Sequence, residues 1–316
     1  MLKTLRAIIQ LMRPAQWVKN VFVFGALVFG AKREDPDAIF FALVAFGIFC
    51  LLSASVYAFN DLLDYQEDAK HPSKKNRPVA SGAISSRLAG AIALLLAGVG
   101  IVASLRLPQG FALTAGCYLA LNLVYSLWGK RQALLDVILI AIGFVLRALG
   151  GAQAIDVPVS AWLVVCTFTL CLFLGFGKRR CELAVLQTSE KAASHRATLS
   201  EYSLELLTQL LAVTGAMAVI TFLLYTLDPY TPTPHLLVFT TPLVFYAIFR
   251  YAMIISRGER TGPTDVLIHD RPFLITAILW TLLTMTLIYF QDQGIENYLP
   301  NLRYPGTPPI SAPTSP

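Results

Sequence analysis

Long runs of uncharged, apolar residues dominate this sequence, and most approach the roughly 20 residues that a membrane-crossing helix needs. Hydrophobic residues make up 56% of the 316 positions, and charged residues only 14%. A soluble domain carries roughly 25% charged residues. This balance excludes an ordinary cytosolic enzyme, a disordered chain and a secreted disulfide scaffold. The sequence therefore predicts an all-α polytopic membrane protein.

Nine such runs divide the chain into three regions. We expect residues 1–16 to form an amphipathic cytoplasmic lead-in at the membrane surface. Residues 17–291 then form a nine-helix membrane domain that carries the catalytic site. The Pro-rich residues 292–316 are predicted to be a disordered extracytoplasmic tail. The nine runs are 17–31, 38–59, 88–105, 107–128, 133–151, 157–177, 206–227, 236–256 and 273–290.

The distribution of Lys and Arg predicts the orientation in the membrane. Twenty of the 25 lie in the N-terminal segment and in the loops after the second, fourth, sixth and eighth runs, and four lie on the opposite side. Positive residues are enriched on the cytoplasmic side. We therefore expect a multi-pass protein of the cell inner (cytoplasmic) membrane, with a cytoplasmic N-terminus and an extracytoplasmic C-terminus. Its net charge of +6 then indicates contact with membrane lipids and not with nucleic acid.

The second run ends in an acidic cluster. Asn60, Asp64 and Asp68 are spaced at i, i+4 and i+8, so they share one helix face, with Asp61 at its edge. Hard oxygen ligands of this kind suit Mg²⁺, which takes its remaining ligands from water and substrate phosphate. A solvated acidic helix end is the alternative. Because the cluster extends an apolar run and a basic loop follows it, we favour a metal site.

The basic loop contains Lys74 and Arg77. Beside a metal site, Lys supplies a point charge and Arg a bidentate fork for a diphosphate. A basic loop by itself more often reflects orientation or contact with lipid headgroups. Its position next to the acidic cluster favours substrate binding.

Besides Arg250 near the end of the eighth run, three ionisable residues lie within apolar runs: Lys19, Asp136 and Arg147. Such residues are costly in a membrane and usually face a cavity or a charged partner. Asp136 and Arg147 are eleven residues apart, about three helical turns, and so share a face. A purely structural pairing is the alternative for both, and Lys19 could instead extend to the cytoplasmic surface. All three are candidate substrate-binding residues.

The motif Asn-Asp-x-x-Asp-x-x-x-Asp at 60–68, followed by the loop Arg77-Pro78-x-x-x-Gly82, resembles the UbiA superfamily of intramembrane prenyltransferases. This resemblance implies the UbiA-like fold of nine transmembrane helices, an active site at the cytoplasmic face and Mg²⁺ as cofactor.

Further stretches resemble one branch of that superfamily, the decaprenyl-phosphate phosphoribosyltransferases: 13–20, 125–130, 143–147 and 177–183. Enzymes of that branch transfer 5-phosphoribose from phosphoribosyl diphosphate to a polyprenyl phosphate, and diphosphate leaves. The resemblance implies the same reaction here and a role in cell wall biosynthesis. It also implies catalytic roles for Asp61, Asp64, Lys19 and Tyr125, of which Tyr125 would hydrogen-bond to phosphate or ribose.

The chain departs from the aromatic prenyltransferases of the superfamily after the sixth run. They carry a second Asp-x-x-x-Asp motif there, whereas this sequence reads Lys178-Arg179-Arg180-Cys181-Glu182. Cations that meet phosphate directly suit a donor rich in phosphate. The candidate substrate-binding residues are therefore Lys19, Lys74, Arg77, Tyr125, Lys130, Asp136, Arg147, Lys178, Arg179 and Glu182.

Two alternatives remain at this point. The first is an aromatic or quinone-precursor prenyltransferase that uses a prenyl diphosphate, which the missing second Asp motif disfavours. The second is a transporter or channel, which the acidic cluster beside a basic loop at the membrane surface disfavours. The sequence leaves open the lipid chain length, the number of Mg²⁺ ions and whether the chain forms a homo-oligomer.

Overall fold

A computed structural model describes residues 2–29, 32, 34–70, 74–187, 197–228, 236–258, 265–266 and 269–291. Helices and turns account for these residues, and no strand occurs among them, which confirms the predicted all-α class. The α-helices are α1 (Leu2–Met12), α2 (Gly25–Phe29), α3 (Pro36–Lys70), α4 (Ser86–Ser104), α5 (Gln109–Leu127), α6 (Leu135–Ala154), α7 (Ala161–Gln187), α8 (Leu204–Thr226), α9 (Thr241–Arg257) and α10 (Arg271–Gln291). Short 3-10 helices cover Pro14–Phe24, Gly129–Arg131, Ala197–Glu201 and Leu236–Thr240.

Eight helices in the described part of the chain are long and apolar enough to cross a membrane. They occupy the second to ninth predicted runs, and the chain is a multi-pass membrane protein. The first run instead forms the 3-10 helix Pro14–Phe24, which continues directly as α2. Because a 3-10 helix rises about 2.0 Å per residue and an α-helix 1.5 Å, these two pieces together reach about 30 Å. That length matches the hydrocarbon core of a bilayer.

The 3-10 helix Pro14–Phe24 lies directly against α6. A Cβ atom added at Gly151 would lie 1.8 Å from the carbonyl oxygen of Val23, so only glycine permits this approach. Small residues allow such close backbone contact between membrane helices. Arg147 is one helical turn before Gly151, so this contact holds Lys19 and Asn20 beside the part of α6 that carries Arg147.

Two apolar clusters hold the bundle together. One joins Pro14–Phe24, α3, α5 and α6, where the ring of Phe49 packs edge-on against Phe111 and Tyr118. The other joins α7, α8 and α9 around Phe173 and Tyr251. Large apolar side chains on the outside, such as Leu94 at 77% exposure, suit contact with lipid. The predicted tail 292–316 and residues 71–73 of the basic loop lie outside the described residues.

Candidate active site

One large cavity, of about 960 Å³, lies where α3, α5, α6 and α7 meet the 3-10 helix Pro14–Phe24. Most of the predicted site residues line it, although they come from distant parts of the sequence. Lys19, Lys74 and Tyr125 are among them. The charged lining consists of Arg13, Lys19, Lys74, Arg77, Lys130, Arg131, Arg147, Lys178 and Arg179 with Asp64, Glu67, Asp68 and Glu182.

The acidic end of α3 forms one wall of the cavity. Asn60, Asp64 and Asp68 line it, as their i, i+4, i+8 spacing predicts. The carboxylates are paired with cations of the opposite wall and of the following loop. Asp64 bonds to the Lys130 ammonium, and Asp68 Oδ2 accepts a hydrogen bond of 2.5 Å from Arg77. Each of these two carboxylates therefore lies beside a cation.

Asp61 is placed differently from the other three members of the predicted metal site. It is 1% exposed and does not belong to the cavity lining. Its Oδ1 atom accepts a hydrogen bond from Arg13, and Arg77 lies 3.6 Å from the same oxygen. The Arg13 guanidinium also lies 5.2 Å from the centre of the Tyr57 ring. Asp61 therefore ties the N-terminal segment and the basic loop to α3.

Arg179 on α7 supplies a cation to the opposite wall and is held in place by two carboxylates. Its Nε donates to Asp136 at 2.8 Å and its Nη1 to Glu182 at 2.5 Å. Asp136 is fully buried and lies behind the cavity lining. Asp136 was predicted to contact substrate. In the structure its carboxylate instead holds Arg179 and does not face the cavity.

Tyr202, which the sequence analysis did not identify, completes this group. Its hydroxyl donates to Asp136 Oδ1 at 3.2 Å and accepts from the Leu134 amide at 2.5 Å. Burial raises the pKa of Tyr202 to about 12, so the hydroxyl keeps its proton and remains a donor at neutral pH. No motif marks this residue, because it lies 66 positions after Asp136 in the sequence and contacts it only in the folded protein.

Arg147 reaches the cavity from α6 through a set of neutral partners. Its Nε donates to Asn20 Oδ1 at 2.7 Å, Nη2 to the Tyr118 hydroxyl at 2.7 Å and Nη1 to the Gly143 carbonyl at 2.8 Å. The guanidinium also lies 4.7 Å from the centre of the Tyr118 ring. Sequence reasoning missed Asn20 and Tyr118 as site residues, since neutral polar residues in apolar runs carry no charge signal.

The donor set at the acidic wall fits a Mg²⁺ ion. The Asn60 Oδ1 atom is buried and accepts no hydrogen bond from any residue that the structure describes, so a hard-oxygen ligand is available beside Asp64 and Asp68. Among the described residues, no three His, Cys, Asp or Glu side chains cluster closely enough to hold a metal on their own. Mg²⁺ commonly binds one or two carboxylates and completes its shell with water and substrate phosphate.

Comparison with known proteins agrees with this geometry. A decaprenyl-phosphate phosphoribosyltransferase of Mycolicibacterium smegmatis is 31% identical over 299 residues, which cover 90% of this chain and 92% of that protein. One of Corynebacterium glutamicum is 30% identical, with 89% of this chain and 86% of that protein covered. The structure of a UbiA homologue from Archaeoglobus fulgidus bound to DMAPP and Mg²⁺ has the same fold, with a TM-score of 0.66 at 18% identity, over 89% of this chain and 99% of that chain. The UbiA prenyltransferase family model matches residues 20–179, just over half of the sequence, and the chain belongs to this family.

Proposed function

We propose that this protein transfers 5-phosphoribose from phosphoribosyl diphosphate to a polyprenyl phosphate of the decaprenyl type, with release of diphosphate. The reaction takes place at the cytoplasmic face of the membrane and depends on Mg²⁺. The similarity to two named decaprenyl-phosphate phosphoribosyltransferases over about 90% of the chain supports this proposal. The character of the cavity supports it independently.

The observation that carries the proposal is the excess of positive charge in the cavity. Among the described residues, nine Lys and Arg side chains line it against four Asp and Glu side chains. The buried Asp61 and Asp136 behind the lining pair with Arg13 and Arg179, so a surplus of three positive charges remains. The proposed substrates bring a diphosphate, a 5-phosphate and a lipid phosphate into one site. A prenyl diphosphate with an aromatic acceptor brings one diphosphate only. Charge-assisted bonds from Arg and Lys to phosphate are among the stronger polar contacts in proteins, so the surplus suits the phosphate-rich pair.

The chemistry follows from positioning and electrostatics. The acceptor phosphate oxygen attacks C1 of the ribose, the bond from C1 to the diphosphate oxygen breaks, and the electron pair leaves with the diphosphate. Because the acceptor phosphate is already anionic at neutral pH, no general base is needed. Asn60, Asp64 and Asp68 would hold Mg²⁺, which neutralises charge on a departing diphosphate.

The chain's own cations serve the same end. Arg77 and Lys130 adjoin the acidic wall, and Arg179 faces the cavity from α7 with its guanidinium fixed by Asp136 and Glu182. Donors held in place before the reaction stabilise developing negative charge without reorganising. Tyr125 lies in the same lining and supplies a hydroxyl for phosphate or ribose.

The orientation is part of the proposal. The N-terminus and the loops that carry Lys74 and Lys130 face the cytoplasm of a cell with an inner membrane, as the distribution of Lys and Arg predicts. The soluble donor then reaches the cavity from the cytosol. Residues 1–16 are the cytoplasmic lead-in, and residues 292–316 are the extracytoplasmic tail.

A paired substrate assay tests the function. Purified protein in lipid nanodiscs is incubated with phosphoribosyl diphosphate and a polyprenyl phosphate, and in parallel with geranyl diphosphate and an aromatic acid, each with Mg²⁺ or with EDTA. Mass spectrometry of the lipid products should detect a polyprenyl phosphoribose only in the first pair with Mg²⁺. A prenylated aromatic acid without phosphoribosyl transfer would overturn the proposal and favour the aromatic prenyltransferase.

A further inference from the structure

Five cations of the cavity differ in the partners that they have. Arg77, Lys130 and Arg179 are each ion-paired with a carboxylate. Lys19 and Arg147 line the same cavity, but neither has a carboxylate partner within the described ranges of the chain. The first group is balanced by the protein itself, whereas the second carries positive charge that the protein leaves unbalanced.

Arg147 has unused hydrogen-bonding capacity. A guanidinium has five N–H donors, and the bonds to Asn20, Tyr118 and Gly143 use three of them. All three acceptors are neutral, and the residue is 7% exposed. A buried cation without a counter-charge is costly, and within a membrane helix it usually marks a functional site. Two donors and a full positive charge therefore remain for an anionic ligand.

Lys19 adds a second such cation. It immediately precedes Asn20, the residue that bonds to Arg147, and its side chain lines the same cavity as Arg147. Across the described residues, no hydrogen bond or ion pair of the Lys19 side chain occurs. Two cations that line one cavity without a carboxylate partner among the described residues form a site for an anion.

This pair lies deeper in the membrane than the acidic wall. Ser53 on α3 bonds to Asn20 at 3.2 Å and to the Tyr118 hydroxyl at 3.1 Å, so it marks the level of the Arg147 network. Ser53 precedes Asn60 by seven residues, which is about 10 Å along the helix. The cavity therefore has an outer level that suits a metal-bound diphosphate and an inner level that suits a separate anion.

The surroundings of the inner level are apolar. The Phe144 ring centre lies 5.3 Å from the Arg147 guanidinium, and Leu121 and Ile140 also line the cavity. Ile140 is 36% exposed, so apolar surface is accessible at this part of the cavity wall. An anion attached to a hydrocarbon chain fits such surroundings better than a fully hydrated sugar phosphate.

We propose that Lys19 and Arg147 form a phosphomonoester subsite that binds the phosphate of the lipid acceptor, while the acidic wall serves the diphosphate of the donor. This assignment rests on the proposed function, since it divides the substrates of that reaction between two levels of one cavity. The 5-phosphate of the donor has the same chemistry, and the experiment separates the two sources.

Direct binding measurements provide the test. Farnesyl phosphate and phosphoribosyl diphosphate are titrated separately, by calorimetry with Mg²⁺ present, into wild-type protein and the Lys19→Met and Arg147→Met variants in nanodiscs. Each variant should raise the Kd of farnesyl phosphate about ten- to a hundredfold, the range for the loss of one charge-assisted bond. The Kd of phosphoribosyl diphosphate should change by less than about threefold. Unchanged binding of farnesyl phosphate, or a loss that falls on phosphoribosyl diphosphate, overturns the assignment.

A second pair of variants separates charge from architecture. Tyr118→Phe removes one hydrogen-bond acceptor of Arg147 but keeps the cation. It should therefore weaken the binding of farnesyl phosphate clearly less than Arg147→Met does. Arg147→Lys should restore part of the binding. An equal loss in Tyr118→Phe would indicate that network geometry, and not charge, holds the ligand. If Arg147→Met does not fold, Lys19→Met carries the test, since its side chain has no bond to lose in the described protein. If the protein binds farnesyl phosphate through Lys19 and Arg147 but transfers no phosphoribose to a polyprenyl phosphate, the proposed function is refuted and the subsite is supported.

Discussion

Removal of the Tyr202 hydroxyl should show how the cavity keeps Arg179 in position. In Tyr202→Phe the ring remains, and only the bonds to Asp136 Oδ1 and from the Leu134 amide disappear. A hydrogen bond to a charged group contributes about 1.5–3 kcal/mol, and a neutral one about 0.5–1.5 kcal/mol. We therefore expect the free energy of unfolding to fall by about 2–4 kcal/mol.

The same variant should weaken the binding of phosphoribosyl diphosphate, because Asp136 is the carboxylate that orients Arg179 Nε. A loss of about 1 kcal/mol in the contact of Arg179 with phosphate corresponds to roughly a fivefold higher KM for phosphoribosyl diphosphate. Thermal unfolding and steady-state kinetics in nanodiscs measure the two effects. Tyr246→Phe, at a tyrosine 46% exposed on α9, is the matched control. If Tyr202→Phe behaves like Tyr246→Phe in both assays, the positioning role is refuted.

Three further results are expected. Asp64→Ala and Asp68→Ala should each abolish Mg²⁺-dependent turnover while circular dichroism shows a folded protein, because each removes a hard ligand and empties no core; near-normal turnover in both would contradict the metal site. Arg179→Lys should raise the KM for phosphoribosyl diphosphate about tenfold or more, since one ammonium cannot replace the fork that Asp136 and Glu182 hold, and kinetics like wild type would argue against that geometry. Single cysteines placed at Lys75 and Arg131, in a variant without native cysteines, should react with a membrane-impermeant maleimide only from the cytosolic side, and labelling from outside would reverse the orientation.

Sequence patterns predicted the fold class and most of the charged cavity lining, and eight of the nine predicted runs are membrane-length helices in the described residues. Hydropathy and charge act locally along the chain, so a pattern such as Asn60, Asp64 and Asp68 can be assigned to one helix face without a structure. The 3-10 form of Pro14–Phe24 was not predicted, and neither was the close approach of Val23 to Gly151 on α6, which joins segments far apart in the sequence. The roles of Tyr202 and Asn20 likewise depend on partners more than 60 residues away in the sequence.

The distribution of ion pairs explains how a cavity with more cations than carboxylates is stabilised. Both candidate metal-binding carboxylates are paired with cavity cations, Asp64 with Lys130 and Asp68 with Arg77. Under the proposed function, Asp64 and Asp68 would hold the metal, and Lys130 and Arg77 would then be available for the phosphates of the diphosphate. No charge is then left buried alone, which is the state that costs most. Lys19 and Arg147 have no carboxylate to exchange among the described residues, so their surplus charge is balanced only when a second anion arrives. The two levels of the cavity thus differ in their ion pairs. The cations of the outer level already have carboxylate partners, whereas Lys19 and Arg147 of the inner level would gain an anionic partner only with the proposed ligand.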